Sequence, residues 1–358
     1  LKKMNKTTKN NLITYAMVIL AFVIMQILIS AGSISSLLQG LMVPLCTYII
    51  LAVSLNLVVG ILGELSLGHA GFMCVGAFTS AFFSKCTRDV IASDGLRFFL
   101  ALLIGIVTAA IFGMLIGIPV LRLKGDYLAI VTLAFGEIIK NMVNVLYIGK
   151  DSKGFHVTTK DVMALNMDAD GTVILNGPQG ITGTPKNSTF VIGFILILLT
   201  LFIVQNLINS RDGRAIMAIR DNRIAAESIG INITKYKLMA FTISAAMAGA
   251  AGVLYAHNIS TLTANTNNFG YNMSITILVF VVLGGIGNIR GSIIAAVILT
   301  LLPELLRGMK DYRMLIYAIV LIVMMLFNWS PKAIEWREKL NDWRKKHFSF
   351  GKKAKEVE

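Results

Sequence analysis

Two charged residues, Glu137 and Lys140, lie three positions apart within an otherwise apolar stretch. On a helix this spacing puts both side chains on one face, where they can form an ion pair. Counted from Asp126 at about 1.5 Å per residue, Glu137 lies roughly 16 Å along such a helix. A carboxylate at that depth, with Thr132 on the same stretch, could line a polar path and receive an ammonium group. An ion pair that only fixes helix packing explains both charges equally well, and the sequence leaves the two alternatives open.

A second group of polar residues lies in a glycine-rich segment, residues 60–71. Its four glycines within twelve residues predict a broken or re-entrant segment, which lipid tolerates only where it is buried in protein or lines a cavity. A Ser/His hydrolase is disfavoured, because Glu64 takes the first glycine position of the G-x-S-x-G pattern. The polar side chains of this segment are further candidates for the path: Glu64, Ser66 and His69. Two sets of glycines are predicted to interrupt helices: Gly63, Gly68 and Gly71, and later Gly284, Gly285 and Gly287.

The sequence carries no pattern for nucleotide or metal chemistry. No G-x-x-x-x-G-K-[ST] occurs, so the chain cannot itself hold ATP through a P-loop. Its three cysteines and four histidines are scattered and lack metal-ligand spacing. We therefore expect no catalytic residue, no metal site and no cofactor in this chain.

The elements that must position these residues are long uncharged blocks. Hydrophobic residues make up 56% of the 358 residues and charged residues only 15%, whereas soluble domains are about 25% charged. An apolar block of about 20 residues is predicted to cross a bilayer as a helix. The sequence thus predicts an all-α, polytopic transmembrane helical bundle of about ten spans, some of them short or broken, and excludes a soluble enzyme. The ten blocks are 12–31, 37–62, 70–84, 98–121, 127–147, 189–208, 238–257, 273–287, 292–306 and 314–329.

The net charge of +14 could indicate a nucleic-acid ligand, an anionic membrane surface or a topological bias. Ten spans put both termini on one side of the membrane. That side carries 22 of the 33 Lys and Arg residues, against 10 on the other side. The positive-inside rule then predicts that both termini are cytoplasmic. The excess is explained as an orientation signal, and no nucleic-acid partner is predicted.

Polar segments flank and connect the predicted transmembrane domain, residues 12–329. The basic arm 1–11 and the basic tail 330–358 are expected in the cytoplasm. The tail is predicted to be an amphipathic helix on anionic lipid, with a disordered anchor as the alternative. On the outer side, the loop 148–188 is rich in turn formers. This composition predicts either a surface connector or a lip that contacts an external partner.

The cytoplasmic loop 209–235 is the most informative polar segment. Its centre predicts one short amphipathic helix over residues 214–230, ended by Gly230. Such a surface suits docking into a partner's groove, although a helix lying on the bilayer would have the same pattern. Small and apolar residues fall on one stripe of this helix: Ala215, Ile219, Asn222, Ala226 and Ile229.

This segment resembles the cytoplasmic coupling loop of ABC importer permeases, whose pattern is Glu-Ala-Ala-x-x-x-Gly. Here Ile224 takes the place of the Glu. The wider chain is similar to the permeases of branched-chain amino-acid ABC importers, most closely to their longer, M-type subunit. The matching stretches follow in the family's order and cover most of residues 45–306. They are 63–72, 121–138, 213–230 and 282–291.

The resemblance implies a permease subunit that carries branched-chain amino acids across the bacterial plasma, or inner, membrane. It also implies a second, homologous permease subunit, two cytoplasmic ATPase subunits that bind the ATP, an extracytoplasmic substrate-binding protein, and surrounding membrane lipid. A charge at Ala226 is then expected to uncouple ATP hydrolysis from uptake. The residues through which the ATPases would act are Gly213, Arg214, Arg220, Ala225, Ala226, Glu227 and Gly230.

Two alternatives stay open at this point. The chain could be a self-sufficient ion-coupled transporter or channel that uses Glu137 and Glu64 as proton or cation sites. It could also be an ABC permease for another small amino acid or for an amide such as urea. The resemblance implies that an external binding protein does most of the selecting, and that protein is not in this chain.

Overall fold

A computed structural model describes residues 6–32, 35–88, 90–123, 125–168, 171–306 and 312–329. The predicted tail 330–358 and the first five residues of the predicted arm 1–11 lie outside the described residues. The rest of the arm is the beginning of the first helix, which starts at Lys6.

All ten apolar blocks are largely helical, because hydrocarbon offers the backbone no hydrogen-bond partner but itself. Within the described residues, seven helical stretches are long and apolar enough to cross a membrane, so the chain is a polytopic helical membrane protein. The helices of the described residues are α1 (Lys6–Ser30), α2 (Ser36–Asn56), α3 (His69–Cys86), α4 (Asp94–Val120), α5 (Asp126–Val145), α6 (Phe190–Asn209), α7 (Arg211–Asp221), α8 (Arg223–Ser228), α9 (Ile233–Ala256), α10 (Thr266–Phe269), α11 (Tyr271–Gly284), α12 (Ile289–Leu305) and α13 (Arg313–Trp329).

The three blocks predicted to be short, 70–84, 273–287 and 292–306, contain α3, α11 and α12, which have 18, 14 and 17 residues. Helix α11 ends at Gly284, and Gly270, with extended backbone angles (φ −95°, ψ −163°), separates it from the short helix α10. A π-helical turn over Leu57–Leu62 continues α2 toward the glycine-rich segment.

The centre of the bundle is formed by α2, α3 and α9. Helix α9 packs against α2, α3 and α4, and small residues let these backbones approach closely, as in other membrane helices. A Cβ atom on Gly252 of α9 would collide with the carbonyl oxygen of Met73 in α3. By contrast, α1 and α4 lie at the outside, and their exposed side chains are apolar, as expected for a surface that faces lipid.

The loop 148–188 corrects the all-α prediction, because it contains strands. Asp151 closes a hairpin by accepting the backbone N–H groups of Lys153 at 2.8 Å and Gly154 at 3.0 Å. Such capping by Asp is typical of the turns that this composition predicts. The strands are β1 (Tyr147–Asp151), β2 (Gly154–Thr158), β3 (Thr172–Asn176), β4 (Ile181–Thr182) and β5 (Thr261–Leu262). They form an antiparallel sheet of order β2-β1-β3 and a small pair β4-β5.

Candidate functional site

The predicted ion pair between Glu137 and Lys140 is present, with the two side chains 24% and 9% exposed. Both residues also bind the break between α10 and α11. Oε1 of Glu137 accepts the backbone N–H of Tyr271 at 2.7 Å, and Nζ of Lys140 donates to Oγ1 of Thr266 at 3.2 Å. Glu137 therefore caps α11, whose N-terminal dipole end favours a carboxylate. The ion pair thus connects α5 to the interrupted helix α10–α11, and it has a role in helix packing.

The other predicted path residues gather around the glycine-rich segment. Glu64 forms an ion pair with Lys237 near the beginning of α9, and these side chains are 16% and 5% exposed. Oγ1 of Thr132 in α5 accepts the backbone N–H of Leu67 at 3.0 Å. The segment between the π-helical turn and α3 is thus tied by side chains to both α5 and α9. Gly68 and Gly71 of this segment also pack against Gly136, the residue before Glu137.

Ser66 and His69 do not form a dyad. Nε2 of His69 lies 2.7 Å from Oγ of Ser54 in α2. Oγ of Ser66 is buried and has no hydrogen-bond partner among the described residues. The arrangement gives no support to a Ser/His hydrolase, as the failed motif spacing predicts.

The predicted helix-breaking glycines have two different roles. Gly63 ends the π-helical turn with φ +80°, a conformation that favours glycine, and Gly285 and Gly287 lie with positive φ between α11 and α12. Gly71 contradicts the prediction, because it lies inside α3. A Cβ atom there would be 2.7 Å from the Cα atom of Gly136 in α5, so close helix packing explains this glycine.

The remaining predicted glycines mark boundaries. Gly68 is the residue before α3, and a Cβ atom on it would collide with the carbonyl oxygen of Thr132. Gly284 is the last residue of α11, where its backbone meets that of Gly291. Both positions are therefore consistent with interrupted helices that approach one another closely.

The loop 209–235 contacts the π-helical turn directly. One guanidinium nitrogen of Arg220 in α7 donates to the carbonyl oxygen of Gly60 at 3.0 Å, and the others bind Asp221. The amide of Asn56 accepts the N–H of Gly287 at 2.8 Å and donates to Ser292 at 2.9 Å. A chain of hydrogen bonds thus joins the loop, the end of α2 and the break before α12.

The prediction of one helix over 214–230 is wrong in its detail. Two helices, α7 and α8, meet at Asn222, which has extended backbone angles (φ −155°, ψ 103°). Its side chain accepts the N–H of Ala225 at 3.0 Å and so caps α8. The apolar stripe is compatible with a continuous helix through Asn222. The Asn side chain can instead bond to the backbone as an N-cap, which ends one helix and begins the next. Gly230, predicted to end the helix, lies two residues after the end of α8 with φ +84°.

Exposure divides the predicted coupling residues into two sets. Ala226 is only 3% exposed and packs with Ile219 and Ile233 in a small apolar cluster of its own. Gly213 is buried as well, under the Ser210 cap of α7. The exposed members are Arg214, Arg220, Ala225, Glu227 and Gly230.

Two isoleucines beside them are strongly exposed for apolar residues. Ile224 is 81% exposed and Ile229 is 75% exposed. Ile224 lies in α8, and Ile229 directly follows this helix. A pair of exposed isoleucines on a short polar loop marks a surface suited to a protein partner.

In the hairpin of β1 and β2, the Asp151 carboxylate accepts several hydrogen bonds. The Asp151 side chain is 1% exposed and lies 2.9 Å from Nε2 of His156. Burial raises the pKa of Asp151, but hydrogen bonds from the backbone and from His156 outweigh it and leave the pKa below its ordinary value. This carboxylate therefore stabilises the hairpin as an anion.

Sequence reasoning missed the partners that fix the predicted residues. Lys237, Tyr271 and Thr266 are distant in sequence from the acidic or basic residue that each one binds. The position of Lys237 does indicate an acidic partner, since a lysine four positions into an apolar helix needs a counter-charge. Nothing in the sequence indicates that the backbone N–H of Tyr271 binds a carboxylate.

Comparison with known proteins settles the family. Residues 36–327 match the family described as branched-chain amino acid transport system / permease component. The chain belongs to this permease family. Two similar relatives are high-affinity branched-chain amino acid transport system permease proteins LivM. The one from Salmonella typhimurium is 35% identical and the one from Escherichia coli 33% identical, each over 92% of this chain and 75% of the relative.

A shorter relative extends the comparison. The Escherichia coli permease protein LivH is 25% identical to this permease over 71% of the chain and 79% of the relative. No solved structure matches the chain. The family therefore rests on sequence, and the contacts described above are features of this permease's own structure.

Proposed function

We propose that this chain is the M-type permease subunit of an ABC importer that carries branched-chain amino acids across the bacterial inner membrane. Similarity to two LivM proteins over 92% of the chain supports the substrate class. The positive charge of the loop 209–235 supports a cytoplasmic location for it. In the proposed topology the ten helical blocks are ten spans, and both termini are cytoplasmic.

The proposed partners are a second permease subunit, two ATPase subunits and an external binding protein. Similarity to both LivM and LivH is consistent with a pair of related permeases. The chain lacks a P-loop, so ATP would be bound by separate subunits. A self-sufficient ion-coupled transporter is less well supported, since Glu137 and Glu64 are each neutralised by a lysine.

The observation that carries the coupling part of the proposal is the exposed pair Ile224 and Ile229. Beside them, Arg220 connects α7 to the end of α2 through Gly60. Closure of the ATPases would press on the two isoleucines, and Arg220 would pass the displacement to the broken segment. This is a two-state element of the kind that alternating access requires.

The test replaces each exposed isoleucine by glutamate in the complete complex. Burying an isoleucine contributes about 1.5–3 kcal/mol, so its loss should weaken ATPase docking roughly tenfold or more. We expect Ile224→Glu and Ile229→Glu to insert normally but to co-purify less ATPase. Met163→Glu is the matched control, because Met163 is 88% exposed in the outer loop. Equal ATPase recovery in all three variants would contradict the proposed coupling surface.

A further inference from the structure

In the proposed topology, helix α11 begins inside the membrane, at the depth of Glu137. The Tyr271 N–H is bound by Glu137, which lies eleven residues, or about 16 Å, along α5 from Asp126. The 14 residues of α11 then run to Gly284, whose following loop contacts the end of α2. The first turns of α11 therefore lie near the middle of the bilayer.

These turns expose polar groups. Asn272 is exposed and donates through Nδ2 to Oδ1 of the exposed Asn267, at 2.9 Å. The hydroxyl of Thr276 donates to the carbonyl oxygen of Asn272 at 2.9 Å. None of the described residues donates to Oδ1 of Asn272 or accepts from Nδ2 of Asn267. Amide groups with spare hydrogen-bonding capacity are costly against lipid and are expected to face water, protein or a polar ligand.

Apolar residues flank the amides on the same face of α11. Tyr271 is 45% exposed and Ile275 is 44% exposed. Positions 271 and 275, and positions 272 and 276, are each one turn apart, so they form two adjacent stripes. One stripe carries hydrogen-bonding groups and the other carries an apolar surface.

We infer that the α11 face, defined as Asn267 of α10 with Tyr271, Asn272, Ile275 and Thr276 of α11, forms one wall of the substrate path. An amide oxygen can accept from an ammonium group and an amide nitrogen can donate to a carboxylate. A neutral amide pair beside a neutralised Glu137–Lys140 pair therefore suits a zwitterion. Ile275 and Tyr271 suit its aliphatic side chain. The inference rests on the proposed function and adds the residues that contact the substrate.

A different cavity fits this role poorly. The crevice of about 470 Å³ between α1, α2, α6 and α12 is lined by apolar side chains such as Met17, Ile49 and Ile298. It offers a zwitterion no hydrogen bonds and has the lining of a lipid-facing cleft. The α11 face has both of the chemistries that a small aliphatic amino acid needs.

Cysteine accessibility in the complete complex tests the inference. The background carries Cys86→Ser, because Cys46 and Cys74 are buried and Cys86 is partly exposed. Asn272→Cys is treated with a hydrophilic, membrane-impermeant thiol reagent, with and without leucine. Ile111→Cys, on the apolar face of α4 and 49% exposed there, is the lipid-facing control.

We expect Asn272→Cys to react, leucine to slow that reaction, and the reacted complex to lose uptake, while Ile111→Cys stays unlabelled. Thr276→Cys, one turn along the same face, repeats the test where Asn272→Cys fails to assemble. Failure of both cysteines to react more than Ile111→Cys would overturn the inference, as would labelling that leucine does not slow. Failure of the proposed function is distinguishable, because the unmodified complex itself would then show no ATP-dependent leucine uptake.

Discussion

The ion pair between Glu64 and Lys237 should have a large effect on stability when only one partner is removed. Its side chains are 16% and 5% exposed, so Lys237→Met leaves a carboxylate with no counter-charge in a mostly buried position. Breaking such a pair costs about 3–5 kcal/mol. Replacing both residues, as Lys237→Met with Glu64→Gln, removes both charges and should restore most of that loss.

The assay is a double-mutant cycle on the purified permease, unfolded by a denaturing detergent, with Lys235→Met as the control. Lys235 is exposed two positions earlier in α9, so its replacement should change the free energy of unfolding by less than about 0.5 kcal/mol. The cycle should give a coupling free energy of about 1–3 kcal/mol between Glu64 and Lys237. Equal stability of the Lys237→Met and Lys235→Met variants would refute the claim that this pair joins α9 to the broken segment.

Three further predictions concern packing, the coupling loop and the outer hairpin. Gly252→Ala should lower the free energy of unfolding by about 1–3 kcal/mol, because the added methyl group forces α3 and α9 apart. Gly40→Ala should not destabilise the protein, because a Cβ atom there meets no atom within 4 Å. Thermal unfolding of the two variants checks this prediction. Ala226→Glu should destabilise the coupling loop itself, seen as faster proteolysis there, whereas Ile224→Glu should leave it intact. Because the pKa of Asp151 is below its ordinary value of about 3.9, its stabilisation of the hairpin is full above that pH and is lost as the pH falls through the lowered pKa. The protection of the hairpin amides against hydrogen exchange, corrected for the intrinsic rate at each pH, should fall in that range and, at neutral pH, in Asp151→Asn; unchanged protection in both would contradict the role of the anion.

The helices were predictable because lipid imposes one solution on an apolar block. The first and last residues of the helices were harder to predict, since polar residues can extend a helix beyond the apolar stretch. Helix α4 begins at Asp94, four residues before the predicted block, and Asp94 forms an ion pair with Arg97 in its first turn. The Glu137–Lys140 pair was predictable for a similar reason, because its spacing is local.

What could not be predicted depends on contacts between distant residues or on competing local chemistry. The cap that Glu137 places on α11 needs Tyr271, 134 positions away. The division of the coupling loop depends on whether Asn222 continues a helix or caps the next one, and both fit the same apolar stripe. The outer sheet depends on Asp151 and on strand pairing with residues 172–176, which turn-rich composition conceals.

ATP-driven uptake by the reconstituted complex tests the central claim most directly. The permease is placed in vesicles with its partner permease and the co-purifying ATPase subunits, and the external binding protein is loaded with radiolabelled leucine. We predict leucine accumulation that requires ATP and is lost when the ATPase subunits are omitted. Leucine uptake by this chain alone, driven by an ion gradient and indifferent to ATP, would contradict the account.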